Sequence, residues 1–113
     1  MKEAVSMEPL VGTVNQVAWA EEIRVQVNAE FDRVAGAFAS VAAKQSGQDQ
    51  IDSTAVIAIL EEKRAAVMLN NNAGYFIQAW QELNDQVRQL IAKDSRFQAI
   101  KAAKAARSTT TLL

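Results

Sequence analysis

A long, regularly spaced apolar stripe in the first half of the chain constrains the fold more than any other feature. This spacing matches the 3.6-residue period of an α-helix and not the alternation of a strand. It predicts one amphipathic helix over residues 14–44, roughly 45 Å long. Its large apolar positions, three or four residues apart, are Trp19, Ile23, Val27, Phe31, Val34, Phe38 and Val41.

A row of small residues lies beside the second half of this stripe. Small side chains let a neighbouring helix approach closely, and a glycine inside a helix costs about 1 kcal/mol relative to alanine. We therefore expect another element to pack tightly against this part of the first helix. The row consists of Ala35, Gly36, Ala39, Ser40, Ala42 and Ala43.

A polar segment over residues 44–52 separates the first helix from a second one, which is expected to return antiparallel. Gly47 suits a helix C-terminus, and Asp52 or Ser53 is the predicted N-cap of the second helix. The apolar positions that follow are Val56, Ile57, Leu60, Val67 and Met68.

The apolar face changes direction at residues 70–74, which are three asparagines, an alanine and Gly74. On an ideal helix the stripe after this point is centred about 150° away from the stripe before it. Two interpretations follow, of which the break is favoured. In one, Gly74 forms a left-handed cap and a new helix starts at Tyr75. In the other, one helix continues and shows its two faces to different neighbours. The later stripe consists of Phe76, Trp80, Leu83, Val87 and Leu90.

A last helix over residues 95–106 is predicted after a cap at Asp94 and Ser95, with Phe97 and Ile100 as its apolar residues. The chain is thus expected to be one all-α domain over residues 1–113, with flexible ends at 1–13 and 108–113. Its architecture is a long antiparallel helical hairpin or three-helix unit that forms a helical bundle, shared between subunits.

Apolar side chains on both sides of the asparagines suggest a shared core, because one hairpin partner cannot cover both. We therefore expect a homo-oligomer, with a dimer favoured, and a further protein partner remains an alternative. The residues predicted for the core or the oligomer interface are Trp19, Ile23, Val27, Phe31, Val34, Phe38, Val41, Leu60, Val67, Phe76, Trp80, Leu83, Val87 and Leu90.

Charge is divided unevenly along the chain. Residues 1–62 hold ten acidic and four basic residues, a balance of −6, and residues 63–113 hold eight basic and three acidic residues, a balance of +5. The favoured interpretation is that the two halves lie side by side and attract weakly. The alternative is an exposed basic face that binds an acidic partner. Its residues are Lys93, Arg96, Lys101, Lys104 and Arg107.

Composition excludes several kinds of chemistry. The chain has no Cys and no His, so disulfides, thiolate metal sites, His-based catalytic triads and Glu-x-x-His di-iron sites cannot form. Its apolar runs are far shorter than the roughly 20 residues that span a bilayer. The acidic N-terminus lacks the pattern of a secretory signal, which predicts a soluble, cytoplasmic protein.

Carboxylate pairs are the strongest hint of catalysis. Glu61 and Glu62, followed by Glu82 and Asp85, could face each other on two helices and hold magnesium. That arrangement needs a further acid one turn on, where this chain has Ala65. We therefore assign no catalytic, cofactor-binding or metal-binding residue.

The sequence as a whole favours a non-enzymatic helical interaction or assembly module, which self-associates or bridges protein partners. The alternative is a nucleic-acid-associated accessory protein that uses the basic C-terminal helix to contact phosphates. A carboxylate–metal enzyme is a distant third.

Overall fold

The computed structural model describes residues 9–112, with the side chains of Asn84 and of residues 108–112 left aside. It is 82% helix, and the described part contains no strand. The all-α prediction is confirmed. The helices are α1 (Val14–Ala42), α2 (Gly47–Met68), α3 (Ala73–Ala79), α4 (Leu83–Ala92) and α5 (Ser95–Leu112).

Helix α1 begins at a capping box that its own sequence supplies. The Gln16 amide donates to the Thr13 hydroxyl (3.2 Å), and the Thr13 amide donates to the Gln16 side-chain carbonyl (3.0 Å). Two of the unsatisfied N–H groups at the helix start are thereby paired. The predicted long first helix is confirmed, and it is about 44 Å long.

Helix α2 returns antiparallel along α1, as predicted, but it starts earlier than the sequence suggested. Gly47 has a φ of 61°, a left-handed value that favours glycine, and it opens α2 directly after a short turn. The predicted caps Asp52 and Ser53 therefore lie inside the helix. Ser53 instead donates its hydroxyl to the Gln45 side chain of the turn (2.6 Å).

One buried arginine joins α2 to α1. Arg64 forms an ion pair with Asp32 of α1, and it also donates to Asn28 of α1 (3.3 Å) and to Glu61 of its own helix (2.9 Å). Its guanidinium lies 6.0 Å from the centre of the Phe31 ring. A buried guanidinium needs such partners, so this contact fixes the register of the two helices.

The predicted break at the asparagines is confirmed, but its mechanism differs. Asn72 caps α3 by accepting from the Gly74 amide (2.8 Å), and Asn70 accepts from the Asn72 amide (2.9 Å). Asparagine side chains compete with helical hydrogen bonds in this way. Gly74 therefore lies inside α3 and is not a left-handed cap.

The N-terminal segment is held against this break. Val11 donates its amide to the Asn71 carbonyl (2.7 Å) and accepts from the Ala73 amide (3.0 Å), and Leu10 is buried in the core. Residues 1–8 lie outside the described part of the chain. The flexibility predicted for both ends remains a prediction.

A second break at Trp80–Glu82 separates α3 from α4 and was not predicted. Gln86 stabilises it, since its side chain accepts from the Glu82 amide (2.9 Å) and donates to the Ala79 carbonyl. The two breaks fold α3 and α4 back onto α1. One chain therefore buries apolar residues from both sides of the asparagines, including Met68 and Phe76. A second subunit is therefore not needed to cover both stripes, because α3 and α4 add to the cover that one hairpin partner would give.

Helix α5 begins at Ser95 as predicted, where Asp94 accepts from the Arg96 amide (2.8 Å). It continues to Leu112, beyond the expected end at residue 106. It runs antiparallel along α2, and its backbone lies close to α2 and α4, whereas no Cα atom of α5 lies within 8 Å of a Cα atom of α1 among the described residues. An open space therefore remains between α1 and α5, next to α4.

Most of the predicted core residues are indeed inside the molecule. Trp19 and Val41 are exceptions, with exposed fractions of 58% and 49%. Each step of four residues turns about 40° beyond a full helix turn, so Trp19 lies about 100° from the centre of the buried stripe. Ile23, Phe38, Leu83 and Leu90 are half-buried. Those that are buried are Val27, Phe31, Val34, Leu60, Val67, Phe76, Trp80 and Val87.

Candidate functional site

The predicted basic face is partly used within the chain. Arg96 donates to Glu62 of α2 (2.7 Å) and to Asp94 (2.9 Å). Arg107 donates to Asp52 of α2 (2.8 Å) and lies 3.4 Å from Asp49. These pairs join the basic second half to the acidic first half, in agreement with the side-by-side interpretation.

Charged residues near the start of α5 lower the pKa values of two carboxyl groups there, those of Asp94 and Glu62. Hydrogen bonds from Arg96 and from Lys63 (3.0 Å) hold the pKa of the Asp94 carboxyl well below its ordinary value of 3.8. Arg96 also lowers the pKa of Glu62. At the other end of α5, hydrogen bonds from Gln48 and Arg107 lower the pKa of Asp52. All three carboxylates are stabilised in their charged forms.

The other three predicted basic residues remain available. Lys93, Lys101 and Lys104 are exposed, and none of them forms an ion pair within the described part of the chain. Lys101 lies over the Phe97 ring, with its ammonium nitrogen 5.7 Å from the ring centre. The predicted basic face is therefore reduced to three lysines that are free of ion pairs.

A groove of about 510 Å³ lies between α1, α4 and α5. We call it the α1/α4/α5 groove. Its walls are mainly apolar, and charged side chains stand among them. The lining residues are Arg33, Val34, Ala37, Phe38, Asp85, Arg88, Gln89, Ile91, Ala92, Phe97 and Lys101.

The cations of the groove differ in how firmly they are held. Arg33 donates to Glu30 through Nε (3.0 Å) and also forms an ion pair with it. Arg88 is 3.6 Å from Asp85, too far for a hydrogen bond, and its side chain is 71% exposed. Lys101 lies over the Phe97 ring, and it forms no ion pair within the part of the chain that the structure describes. Arg88 and Lys101 thus keep donors that could bind an anion.

A second feature lies on the opposite side of α1. Six exposed residues of α1 lie within about 60° of one another on the helix, roughly 150° from the buried stripe. We call this surface the outer face of α1. It consists of the apolar or small residues Val14, Ala18, Val25, Ala29 and Gly36, and of Asp32.

The outer face changes the interpretation of the small-residue row. Ala35 and Ala42 are buried, but Gly36, Ala39, Ser40 and Ala43 are exposed. A Cβ atom at Gly36 would meet no atom within 4 Å. The described part of the chain therefore does not supply the close packing that was expected at Gly36.

Three of the four carboxylates that hinted at catalysis have separate partners. Glu61 pairs with Arg64, and Glu62 pairs with Arg96. Asp85 accepts from the Gln89 side chain (2.7 Å). Within residues 9–112, no group of three or more Asp or Glu side chains is placed to hold a metal ion.

Sequence reasoning missed most of the groove. Arg33, Arg88 and Ile91 were not singled out, because nothing in their spacing shows that α5 stays clear of α1. Phe38 was predicted to be in the core, and Lys101 on a basic face, and both line the groove. The exposed valines at positions 14 and 25 lie off the strong apolar stripe and were also missed.

Comparison with protein-family models, curated proteins and solved structures finds no match. Within the part of the chain that the structure describes, no helix is both long enough and apolar enough to cross a bilayer.

Proposed function

We propose that the protein is a non-enzymatic helical interaction module that self-associates through the outer face of α1. The observation that carries this proposal is the exposure of two large apolar side chains on that face, 86% for Val14 and 64% for Val25. Apolar side chains in water favour burial, at roughly 25 cal/mol per Å² of apolar surface removed. A second copy of the chain is the occupant that we propose.

The small residues between and beyond the valines support a close helix contact. The outer face spans about 33 Å from Val14 to Gly36. Ala18 and Ala29 leave the α1 backbone accessible, and Gly36 has no Cβ. A partner helix in close contact is a reason for a glycine that the chain's own packing does not explain.

An antiparallel pair of α1 helices fits these residues best. With Val25 opposite Val25, Val14 of one copy lies opposite Gly36 of the other, so that a large residue meets a small one. Glu21 then lies opposite Ala29, whereas a parallel pair would place Glu21 opposite Glu21. Asp32 lies within this face, opposite Ala18 of the second copy, and its ion pair with Arg64 compensates its charge.

Cysteine cross-linking tests this geometry, and the absence of any native Cys makes the test specific. Val25→Cys should give a disulfide-linked dimer under mild oxidation, because a disulfide needs Cα atoms within about 7 Å. Val41→Cys is the matched control, since Val41 is also exposed but lies about 160° around α1 from Val25.

Sedimentation at micromolar concentration is the second measurement. The unmodified protein should sediment above 12.3 kDa, and it should still do so in about 1 M NaCl, where only charge pairs are screened. A 12.3 kDa species in low salt, or equal cross-linking of the two cysteine variants, would refute the proposal.

The alternatives have less support. A nucleic-acid-binding function would use the basic helix, but Arg96 and Arg107 already pair with carboxylates of the same chain. A carboxylate–metal enzyme would use Glu61 and Glu62, and each of these has an arginine partner. The cytoplasmic location stays a prediction from the N-terminal sequence.

A further inference from the structure

The α1/α4/α5 groove exists because the last helix is held on one side only. Ion pairs with Glu62 and Asp52 hold α5 on α2, and among the described residues no Cα atom of α5 lies within 8 Å of a Cα atom of α1. Phe38 of α1 and Phe97 of α5 therefore line the groove from two helices, and both remain half-buried.

The interior of the groove suits a small apolar body. Val34 and Ile91 are buried in its floor, and Ala37 and Ala92 add only methyl groups to the walls. Its volume of about 510 Å³ lies in the range of small-molecule sites. No helix lines it over more than about two turns, which is too short for the three or four spaced anchors of a bound helix.

The polar groups of the groove favour an anion. Three cations from three different helices line it, namely Arg33, Arg88 and Lys101, against the single acid Asp85. Arg88 and Lys101 keep donors available, as their distances to Asp85 and Phe97 show. An apolar interior beside cations that no carboxylate of the described chain hydrogen-bonds is complementary to a molecule with an apolar chain and one negative head group.

We propose that the α1/α4/α5 groove binds a medium-chain carboxylate amphiphile, with its chain between Phe38 and Phe97 and its carboxylate on Arg88 and Lys101. The groove runs about 10 Å along α4, which fits a chain of about ten carbons. It shares no residue with the outer face of α1, so this proposal is independent of self-association.

Calorimetric titration with decanoate tests the site, and decyltrimethylammonium is the matched ligand with the same chain and the opposite charge. Decanoate should bind with a stoichiometry of one per chain, and the cationic ligand should bind at least about tenfold more weakly. No binding of decanoate at millimolar concentration, or equal binding of the two ligands, would overturn the proposal.

Charge-removing variants locate the site. Arg88→Gln and Lys101→Gln should each weaken decanoate binding about fivefold, since each removes a charged donor. Lys104→Gln is the matched control, because Lys104 is an exposed lysine of α5 that does not line the groove. Its affinity for decanoate should stay within twofold of the unmodified protein.

A blocking variant gives a further measurement. Ala92→Trp should fill the groove and abolish decanoate binding, while circular dichroism checks that the helices remain. Both Arg88 and Lys101 are exposed, so their glutamine variants should fold even if the tryptophan variant does not. Decanoate binding that none of the groove variants weakens would place the ligand elsewhere and overturn the proposal.

Discussion

Replacement of Gly36 by alanine separates what this residue does within one chain from what it does between chains. Gly36 lies in the interior of α1 with an ordinary helical backbone, and an added Cβ would meet nothing within 4 Å. The substitution therefore brings the helix-propensity gain without a steric penalty. That gain is about 0.8–1.0 kcal/mol, four- to fivefold in the folding equilibrium. For a chain of this size it should raise the melting temperature by about 3–6 °C.

The same methyl group should have the opposite effect on self-association. In the antiparallel pair it would stand opposite Val14 of the second copy, where the glycine leaves room for the valine side chain. We expect Gly36→Ala to weaken the dimer and to stabilise the dilute, monomeric protein. Few substitutions would change these two equilibria in opposite directions.

Thermal denaturation of dilute protein, followed by circular dichroism, measures the first effect, and sedimentation over a concentration series measures the second. Ala66→Gly in α2 is the control, because Ala66 is exposed and lies on neither proposed surface. It should lose about 1 kcal/mol of stability and leave self-association unchanged. If Gly36→Ala lowers the stability of the monomer, the conclusion that Gly36 lies in an open environment is wrong. If it stabilises the monomer and leaves the dimer intact, the outer face of α1 is not the interface.

Three further predictions concern the single chain. Phe31→Ala should cost about 3–5 kcal/mol in a urea titration because Phe31 is fully buried, whereas Phe38→Ala should cost clearly less because Phe38 is half-buried in the groove wall. Asp32→Ala should cost about 1 kcal/mol, since the buried Arg64 keeps Asn28 and Glu61 as partners; an unchanged denaturation midpoint would show that this ion pair is not stabilising. The pKa of Asp94 is lowered in the folded state, so its contribution to stability is present above its ordinary pKa of 3.8 and is lost as pH falls below that value. Asp94→Asn should therefore flatten the loss of stability in acid, and identical pH profiles for the two proteins would contradict this assignment.

The first helix and the break at the asparagines could be predicted because their signals are local. A stripe with helical spacing and a cap at Asp94 need no knowledge of the partner element. The second break could not be predicted, because Phe76, Trp80, Leu83 and Val87 continue one helical pattern through it. The long-range contact at this break is the packing of Trp80 against Phe31, with ring centres 6.2 Å apart.

The groove escapes prediction for a related reason. It is a gap between elements, and a gap depends on where helices do not meet. The residues that line it come from α1, α4 and α5, and no spacing within one helix marks Arg88 or Ile91 as neighbours of Phe38. The charge division of the sequence did indicate that α5 would lie against the acidic half, but not that α1 would be left uncovered.

The ion pairs that hold α5 on α2 connect the charge pattern to the two proposed surfaces. Since Arg96 and Arg107 are engaged within the chain, the basic half offers an external partner fewer cations than its sequence suggests. Those that remain near the groove, Arg88 and Lys101, stand beside an apolar cavity, which suits one small anion better than an extended polyanion. The outer face of α1 carries no basic residue among its six members, and its single acid, Asp32, is paired with Arg64 of the same chain, so contacts there depend on apolar area. The two surfaces therefore use different forces, since anion binding in the groove weakens as salt screens its charges, whereas apolar helix contacts do not.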